Sequence, residues 1–311
     1  MQRIIYSQEL KSRLDKFVTE YFQARDAGRS RRFFQDKIKT GDILVNGKQV
    51  KPDYQLKTGD EVTFGDELRE VEVEEVEVKP QKEKLFNLIY EHPDFLVVEK
   101  PAGISTHPCP QERFGTLAES LLYYYPEIKG VGENSWRPGI VHRIDKETSG
   151  LLIVSRNQKA FQYFKSLFQD RKVEKVYRAV VWGKLKKTSG KIESFIGRSR
   201  KDPTKQATSC LPEKLINPKE AITEYKVLEE YGDSSLLEVV LKTGRKHQIR
   251  IHLHSIGHPI VGDKKYFNKL VQENNLKYPR HLLHSYKIRF EYMDGEKYEF
   301  KSKKTFELEE E

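Results

Sequence analysis

Residues 138–150, Pro-Gly-Ile-Val-His-Arg-Ile-Asp-Lys-Glu-Thr-Ser-Gly, hold the densest set of reactive side chains in the chain. Asp145 precedes Thr148-Ser149-Gly150, and Arg143 stands two positions before it. In an extended loop these two side chains reach the same ligand, which places a carboxylate and a guanidinium at the mouth of one cleft. A plainer reading is an Asx-turn, with Asp145 accepting from nearby backbone N–H groups. Three other pieces have the make-up of site-building loops. Lys100–Pro108 is a Pro/Gly turn with a base at one end and His107 near the other. Lys242–His254 opens with a turn and becomes a basic stretch. Arg280-His281-Leu282-Leu283-His284-Ser285 reads as neither a long helix nor a clean strand.

Other chemistries lack their residues. His247, His252, His254, His258, His281 and His284 crowd the C-terminal third. None falls into HExxH and no cysteine lies nearby, so no metal site is expected. GxGxxG, GxxxxGK[ST] and GxSxG are all missing, which removes support for nucleotide-cofactor loops and a nucleophile elbow. Cys109 and Cys210 form neither a CxxC pair nor a disulfide framework. Reduced, partly buried thiols in a cytoplasmic protein are expected.

The elements that must hold these loops are mostly short and β-rich. Residues 95–100, 150–154, 176–181 and 236–241 read as strands by their β-branched and aromatic content. Leu117–Tyr125 and Gln158–Gln169 read as helices. Strands with few interposed helices predict an α+β domain around a mainly antiparallel, mixed sheet.

Ahead of it stands a smaller α/β piece. Ser12 is placed to cap a helix through Leu14, Phe17, Val18 and Phe22, and Ser30 to cap a second one, Arg31 to Lys39. Ile43-Leu44-Val45, Asn46-Gly47 and Lys48-Gln49-Val50 read as a hairpin, and Glu61–Phe64 as a further strand.

The 311 residues suit two domains, expected as 1–75 and 85–311 with a linker over 76–84. The net charge is +9, which by itself points only weakly to an anionic partner. Its distribution says more. Residues 25–51 carry a local excess of base, including Arg31, Arg32, Lys37 and Lys48, whereas Asp66–Glu77 is acidic with Arg69 alone opposing. The alternation VEVEEVEV within that acidic run is also compatible with an exposed edge strand. No stretch approaches the roughly 18 to 20 apolar residues of a membrane span. The N-terminus is charged too early for a signal peptide.

The segments SRLDKFVTEYF and SRRFFQDKIKTGDILVNGKQVKPDYQLKTGDEV resemble an S4 domain, a small RNA-binding module. The resemblance implies that Arg31, Arg32, Lys37 and Lys48 face RNA. RPGIVHRIDKETSGLLIVSRN resembles the catalytic segment of the RluA family of pseudouridine synthases, written HRLDxxTSG. VVEKPAGISTHP, VEKVYRAVV, TGRKHQIRIHLHSIGHPIVGDKKY and RHLLHSYKI match further family segments in the same order, over about residues 85 to 300.

What the resemblance implies is isomerisation of uridine within RNA, with no cofactor, because no redox change or external group is involved. Asp145 becomes the catalytic carboxylate, with Arg250 as its guanidinium partner and Arg245 as the alternative. Tyr177 stacks on the base, and its hydroxyl helps take the C5 proton. Arg143 enters the space left by an extruded uridine, and Leu283 makes an apolar contact with the base. His142, Thr148 and Lys100 complete the substrate-binding set, Lys100 either touching phosphate or shaping its loop. Ribosomal RNA of the large subunit is the favoured partner, transfer RNA the alternative, and a monomer is expected. A non-catalytic RNA-binding or ribosome-assembly factor is the competing class.

Overall fold

In the computed structural model of the chain, residues 2–6, 12–23, 31–65, 78–109, 112–200, 202, 205–304 and 306 are described. Its contacts divide it into two units, Met1–Glu77 and Val78–Glu311. The acidic run Asp66–Glu77 and the cap position Ser30 lie outside the described residues.

In the first unit, β1 (Gln2–Ile5), β2 (Ser12–Arg13), α1 (Leu14–Gln23), α2 (Arg31–Thr40), β3 (Ile43–Val45), β4 (Gln55–Leu56) and β5 (Glu61–Phe64) follow in order. β5 lies between β1 and β3, antiparallel to both. Leu14 and Val18 of α1 pack with Phe34 and Ile38 of α2 against Val62 and Phe64. This is the i, i+4 spacing that puts apolar residues on one helix face.

Two local expectations change. Ser12 pairs with Leu56 in a short ladder instead of capping α1. Leu14 and Asp15 give their N–H groups to Tyr54 and Pro52 carbonyls, so the first turn is satisfied by neighbouring backbone. Asn46 and Gly47 do make a tight turn, with φ of 51° and 70°. The return strand does not extend past Lys48, which makes a single bridge with Val45, while the Gln49 side-chain amide donates to the Lys39 carbonyl.

The second unit contains β6 (Asn87–Glu91), β7 (Phe95–Lys100), α3 (Leu117–Tyr124), β8 (Ser149–Ser155), α4 (Gln158–Gln169), β9 (Glu174–Trp182), β10 (Ser189–Ser199), β11 (Gln206–Ser209), β12 (Leu215–Tyr231), β13 (Ser234–Leu241), α5 (Gln248–Ser255), α6 (Gln272–Leu276), β14 (Leu283–Glu291) and β15 (Lys297–Lys301). One sheet takes the order β11-β10-β12-β13-β9-β14-β8-β7-β6, with β15 also on β14. All its pairings are antiparallel except β14 with β8. This is the mixed, mainly antiparallel α+β architecture expected from the strand pattern.

Every residue of β7 and β8 is buried, so both faces of the sheet centre are covered. Leu96, Val98, Leu152 and Val154 pack on one face with Leu117 and Leu121 of α3. Phe95, Val97, Leu151 and Ile153 pack on the other with Ala160 and Phe164 of α4. Residues 78–84, expected as linker, lie along α3 instead. Val78 joins the core, and Ser120 and Tyr124 hydroxyls bond the Glu83 and Lys82 carbonyls.

The parallel junction is tight. Gly150 pairs with Ser285 at a φ of +117°, and a Cβ there would stand 2.3 Å from the Ser285 carbonyl oxygen. Only glycine allows β8 and β14 to meet so closely.

Candidate active site

Asp145 lies in the loop between the bridge residue Ile140 and β8. Its position is set by backbone contacts from the Lys100–His107 turn. Thr106 Oγ1 donates to the Ile144 carbonyl at 3.0 Å, and Gly103 N donates to the Lys146 carbonyl at 3.0 Å. Thr148 N closes the loop on the Asp145 carbonyl at 3.0 Å. The Asx-turn reading is therefore not what forms: the main chain carries the turn, and the Asp145 carboxylate points elsewhere.

That carboxylate meets α5. Arg250 Nη1 donates to Asp145 Oδ2 at 3.0 Å, while Arg250 Nε and Nη2 form a fork on Asp263 at 2.7 and 2.9 Å. Asp263 is fully buried and accepts from the Lys265 and Tyr266 N–H groups as well. The guanidinium is thus locked in plane by one carboxylate and offers its remaining edge to another. His247 Nε2 approaches the same Oδ2 at 3.8 Å, and its Nδ1 lies 2.7 Å from the Tyr266 hydroxyl. His247 has a left-handed φ of 59° at the start of α5, a strained conformation for this residue type. Among the described residues, Asp145 Oδ1 has no partner.

Burial pushes the Asp145 carboxyl up, but the charges of His247 and Arg250 and the Arg250 hydrogen bond outweigh it, so its pKa lies below the ordinary value. His247 is itself pushed down to about 4 by burial and is neutral at pH 7. The standing charge on Asp145 near neutrality is therefore that of Arg250. Asp145 is ionised with one oxygen held and one open.

A cavity of about 640 Å³ opens in front of it. Tyr177 of β9 and Leu283 of β14 form apolar walls, and Phe168, at the end of α4, lines it too. Tyr177 sits opposite Ser285 and shares a hydrogen bond with it. Burial, followed by the Asp145 charge, raises the Tyr177 hydroxyl to about 12 against the Ser285 bond. It is a neutral phenol at pH 7 and not a ready base.

The remaining expected residues divide by what they touch. Arg143 is exposed at the cavity and donates to His107 Nε2 at 3.1 Å. His107 Nδ1 is turned to the Pro108 carbonyl, so the network assigns the proton to Nδ1 and leaves Nε2 to accept. His142 accepts from Ile153 N at 2.9 Å and packs its ring against Phe168 at a tilt, centroids 4.5 Å apart, a neutral packing role at the cavity wall. Thr148 is bonded to His281 at 2.8 Å. Arg245, the alternative partner of Asp145, gives its Nε to the Glu220 carbonyl and lines the cavity mouth.

Lys100 does not face the cavity. It is fully buried, and its ammonium donates to the carbonyls of Pro101, Ile104 and Lys146 at 2.7 to 3.0 Å. A phosphate contact is excluded by that burial. Lys100 instead ties its own turn to the Asp145 loop.

Two site residues escaped the sequence reading. His247 stands in TGRKHQIR, but no spacing rule marks it as facing Asp145. Asp263 follows Gly262, whose φ is +75° and whose Cβ would meet the Arg280 carbonyl at 2.1 Å. That Gly-Asp turn is the signal available beforehand. The histidine-rich third is committed elsewhere, with His252 between Ser194 and Thr223, His258 on the Trp182 carbonyl and His284 on Ser149. Among the described residues no group of three His, Cys, Asp or Glu is placed to hold a metal.

In the first unit the expected basic residues also separate. Arg31 forms a bidentate pair with the buried Asp15, which Arg13 and Gln35 also hold. Lys37 pairs with Asp42 at 3.1 Å. Arg32 and Lys48 are exposed.

Comparison with known proteins gives the same two-part division. Residues 94–255 match the RNA pseudouridylate synthase family, and residues 12–62 match the S4 domain. An uncharacterized RNA pseudouridine synthase of Aquifex aeolicus is 40% identical over 259 residues, covering 82% of this chain and 77% of that protein. The ribosomal large subunit pseudouridine synthase D of Vibrio parahaemolyticus is 32% identical over 303 residues, covering 94% and 87%. Among solved structures, human RNA pseudouridylate synthase domain containing 1 aligns with a TM-score of 0.60 and 28% identity, over 73% of this chain and 86% of that one.

Proposed function

The chain belongs to the RNA pseudouridylate synthase family and is an isomerase of that class, and from this premise we propose that it converts uridine to pseudouridine in large-subunit ribosomal RNA, with Asp145 as the catalytic carboxylate. The observation that carries the reading is the Asp145–Arg250–Asp263 chain at the back of a cavity walled by Tyr177 and Leu283.

The isomerisation breaks the N1–C1′ bond and forms C5–C1′. The C5 hydrogen leaves as a proton to solvent, and N1 gains one. Asp145 acts as the anion, through the free Oδ1. An ionised carboxylate there suits attack on C1′, stabilisation of positive charge at C1′ or removal of the C2′ proton. All three need the charge state that Arg250 maintains. Tyr177 supplies a flat neutral ring for the base, and Leu283 packs on the base from β14. A base inside a stacked helix cannot reach Asp145, so the uridine is extruded into the cavity. Arg143, exposed at the rim, fills the vacated stack with its planar guanidinium.

The substrate class rests on the S4 unit and on relatives bearing the large-subunit name in Vibrio parahaemolyticus, Borreliella burgdorferi and Neisseria meningitidis. Exposed Arg32 and Lys48 contribute phosphate contacts, whereas Arg31 is spent on Asp15. The protein works as a monomer, in the cytoplasm, without a cofactor.

The test uses wild type and Asp145→Asn with ribosomal and transfer RNA carrying tritium at uridine C5. Wild type should release tritium from ribosomal RNA, and Asp145→Asn should release it about 10³-fold more slowly or not at all. Release from transfer RNA alone would move the substrate to that class. No release by wild type from either RNA, with salt-dependent binding retained, would turn the reading to a binding factor.

A further inference from the structure

β9 and β14 face each other with Tyr177 opposite Ser285, Arg178 opposite His284 and Ala179 opposite Leu283. Side chains alternate along a strand. Tyr177, Ala179 and Leu283 therefore share the face that carries the Asp145 cavity. Arg178 and His284 emerge on the reverse face, where Val180 and Trp182 of β9 build a separate core. A second cavity, of about 440 Å³, opens there.

Its lining is cationic. Arg178, Arg280, Lys303 and Lys304 contribute, and no carboxylate lies among its described lining residues. It also holds unspent donor capacity. Among the described residues, three buried side-chain N or O atoms have no hydrogen-bond partner, and two of them, Arg178 Nε and His284 Nε2, belong to this lining. His284 is 4% exposed, and its Nδ1 is occupied by Ser149 Oγ at 2.8 Å. The carboxylate nearest to Nε2 is Glu99, at 3.7 Å, which is beyond hydrogen-bond reach. Glu99 is itself engaged by Ser302 and by Lys304 at 3.3 Å. Lys304 is thus partly neutralised, while Lys303 stands exposed at the rim.

Arg178 is held for recognition in a particular way. Its guanidinium lies over the Tyr286 ring, 3.8 Å from the centroid. Stacking uses the face of the group and leaves the in-plane N–H donors for an oxyanion. Buried polar atoms normally find partners, so an orphaned one calls for a water, an ion or a ligand. A cationic cavity whose lining residues hold two orphaned nitrogens has the chemistry of an oxyanion site.

We propose that this reverse-face cavity binds a phosphate group, mono- or diester, through Arg178 Nε and His284 Nε2, with Arg280 and Lys303 balancing its charge. Phosphate is favoured over a carboxylate because several cations converge on a space that admits a tetrahedral anion. Arg280 also lines the cleft on the far side of Asp145, so an occupied site adjoins the catalytic loop. The phosphate comes either from the backbone of the RNA substrate or from a free nucleotide.

The test is calorimetric titration of the full chain with sodium phosphate against sodium chloride at equal ionic strength. Wild type should bind phosphate saturably at one site, and Arg178→Gln and Lys303→Glu should each weaken binding about tenfold or more. Lys303→Glu changes an exposed residue, so it reads the site even if Arg178→Gln unfolds. Lack of saturable binding by wild type, or wild-type affinity in a folded Lys303→Glu variant, overturns the proposal. Two further outcomes identify the source, and both uphold the site. If phosphate competes with a ribosomal RNA fragment, and Lys303→Glu lowers the slope of log affinity against log salt, the occupant is the RNA backbone. If RNA binding is indifferent to both, the occupant is a free phosphate compound. None of these readouts depends on turnover, so they stand apart from the tritium experiment.

Discussion

The charge state of Asp145 rests on the two basic side chains that face it, His247 and Arg250. Burial alone would raise its pKa and leave a neutral acid unable to serve as nucleophile or base. His247 and Arg250 together reverse that balance, and Asp263 holds Arg250 so that its Nη1 edge faces Asp145. A carboxylate with a depressed pKa keeps its charge down through the usual range near 4 and loses activity only below it. Arg250→Met should therefore do two things. It should lower kcat/KM, and it should move the acid limb of the pH–rate profile upward by about one unit or more, since a guanidinium beside an Asp depresses its pKa by about 1 to 3. An acid limb that stays in place while kcat/KM falls would assign Arg250 to substrate contact alone.

At the level of elements, the site depends on how β8 meets β14. Asp145 precedes the start of β8 by four residues and Leu283 opens β14, so the parallel pairing at Gly150 and Ser285 places the carboxylate and one wall of the cavity. Gly150→Ala should cost about 3 kcal/mol or more, because a Cβ meets the Ser285 backbone and the residue keeps a positive φ. A urea titration reads this as a lower midpoint. An unchanged midpoint would mean that the junction relaxes freely. The Lys100–His107 turn supports the same loop from the other side, so of the two roles the sequence leaves open for Lys100, phosphate contact or loop shaping, the structure takes the second.

At the level of the whole molecule, each unit has its own core and its own use of charge. In the first unit, a buried Asp15 consumes Arg13 and Arg31, so a count of bases overstates what is free for RNA. Arg32 and Lys48 remain exposed. Arg32→Gln with Lys48→Gln should reduce the salt dependence of RNA binding by about 1 to 2 in log–log slope and leave stability unchanged. Filter binding from low to high salt measures the slope, and an unchanged slope would remove these two residues from the interface.

The chain by itself determined what local chemistry can encode. β-branched runs placed β3, β5, β7, β8, β9 and β13 but not the long β10 and β12 or β14, which opens in the stretch read as no clean strand. Helical spacing placed α3 and α4, turn residues placed the Asn46-Gly47 turn, and the ordered motifs marked Asp145, Tyr177, Arg250 and Leu283 as one set. Local pattern was also sufficient for the mixed α+β sheet. It missed α5, because Gln248–Ser255 carries basic residues and histidines where an amphipathic helix would show a clean apolar stripe, and its burial on nearly all sides is a tertiary fact. It also left Arg250 and Arg245 as rivals. Only the fold decided between them, since Asp263, 13 residues beyond Arg250, locks that guanidinium onto Asp145, 105 residues away. The same holds for Lys100 and Arg31. A cation's partner depends on which carbonyls and carboxylates the packed chain brings within about 3 Å, and hydrogen bonds and desolvation act over that distance, not along the sequence.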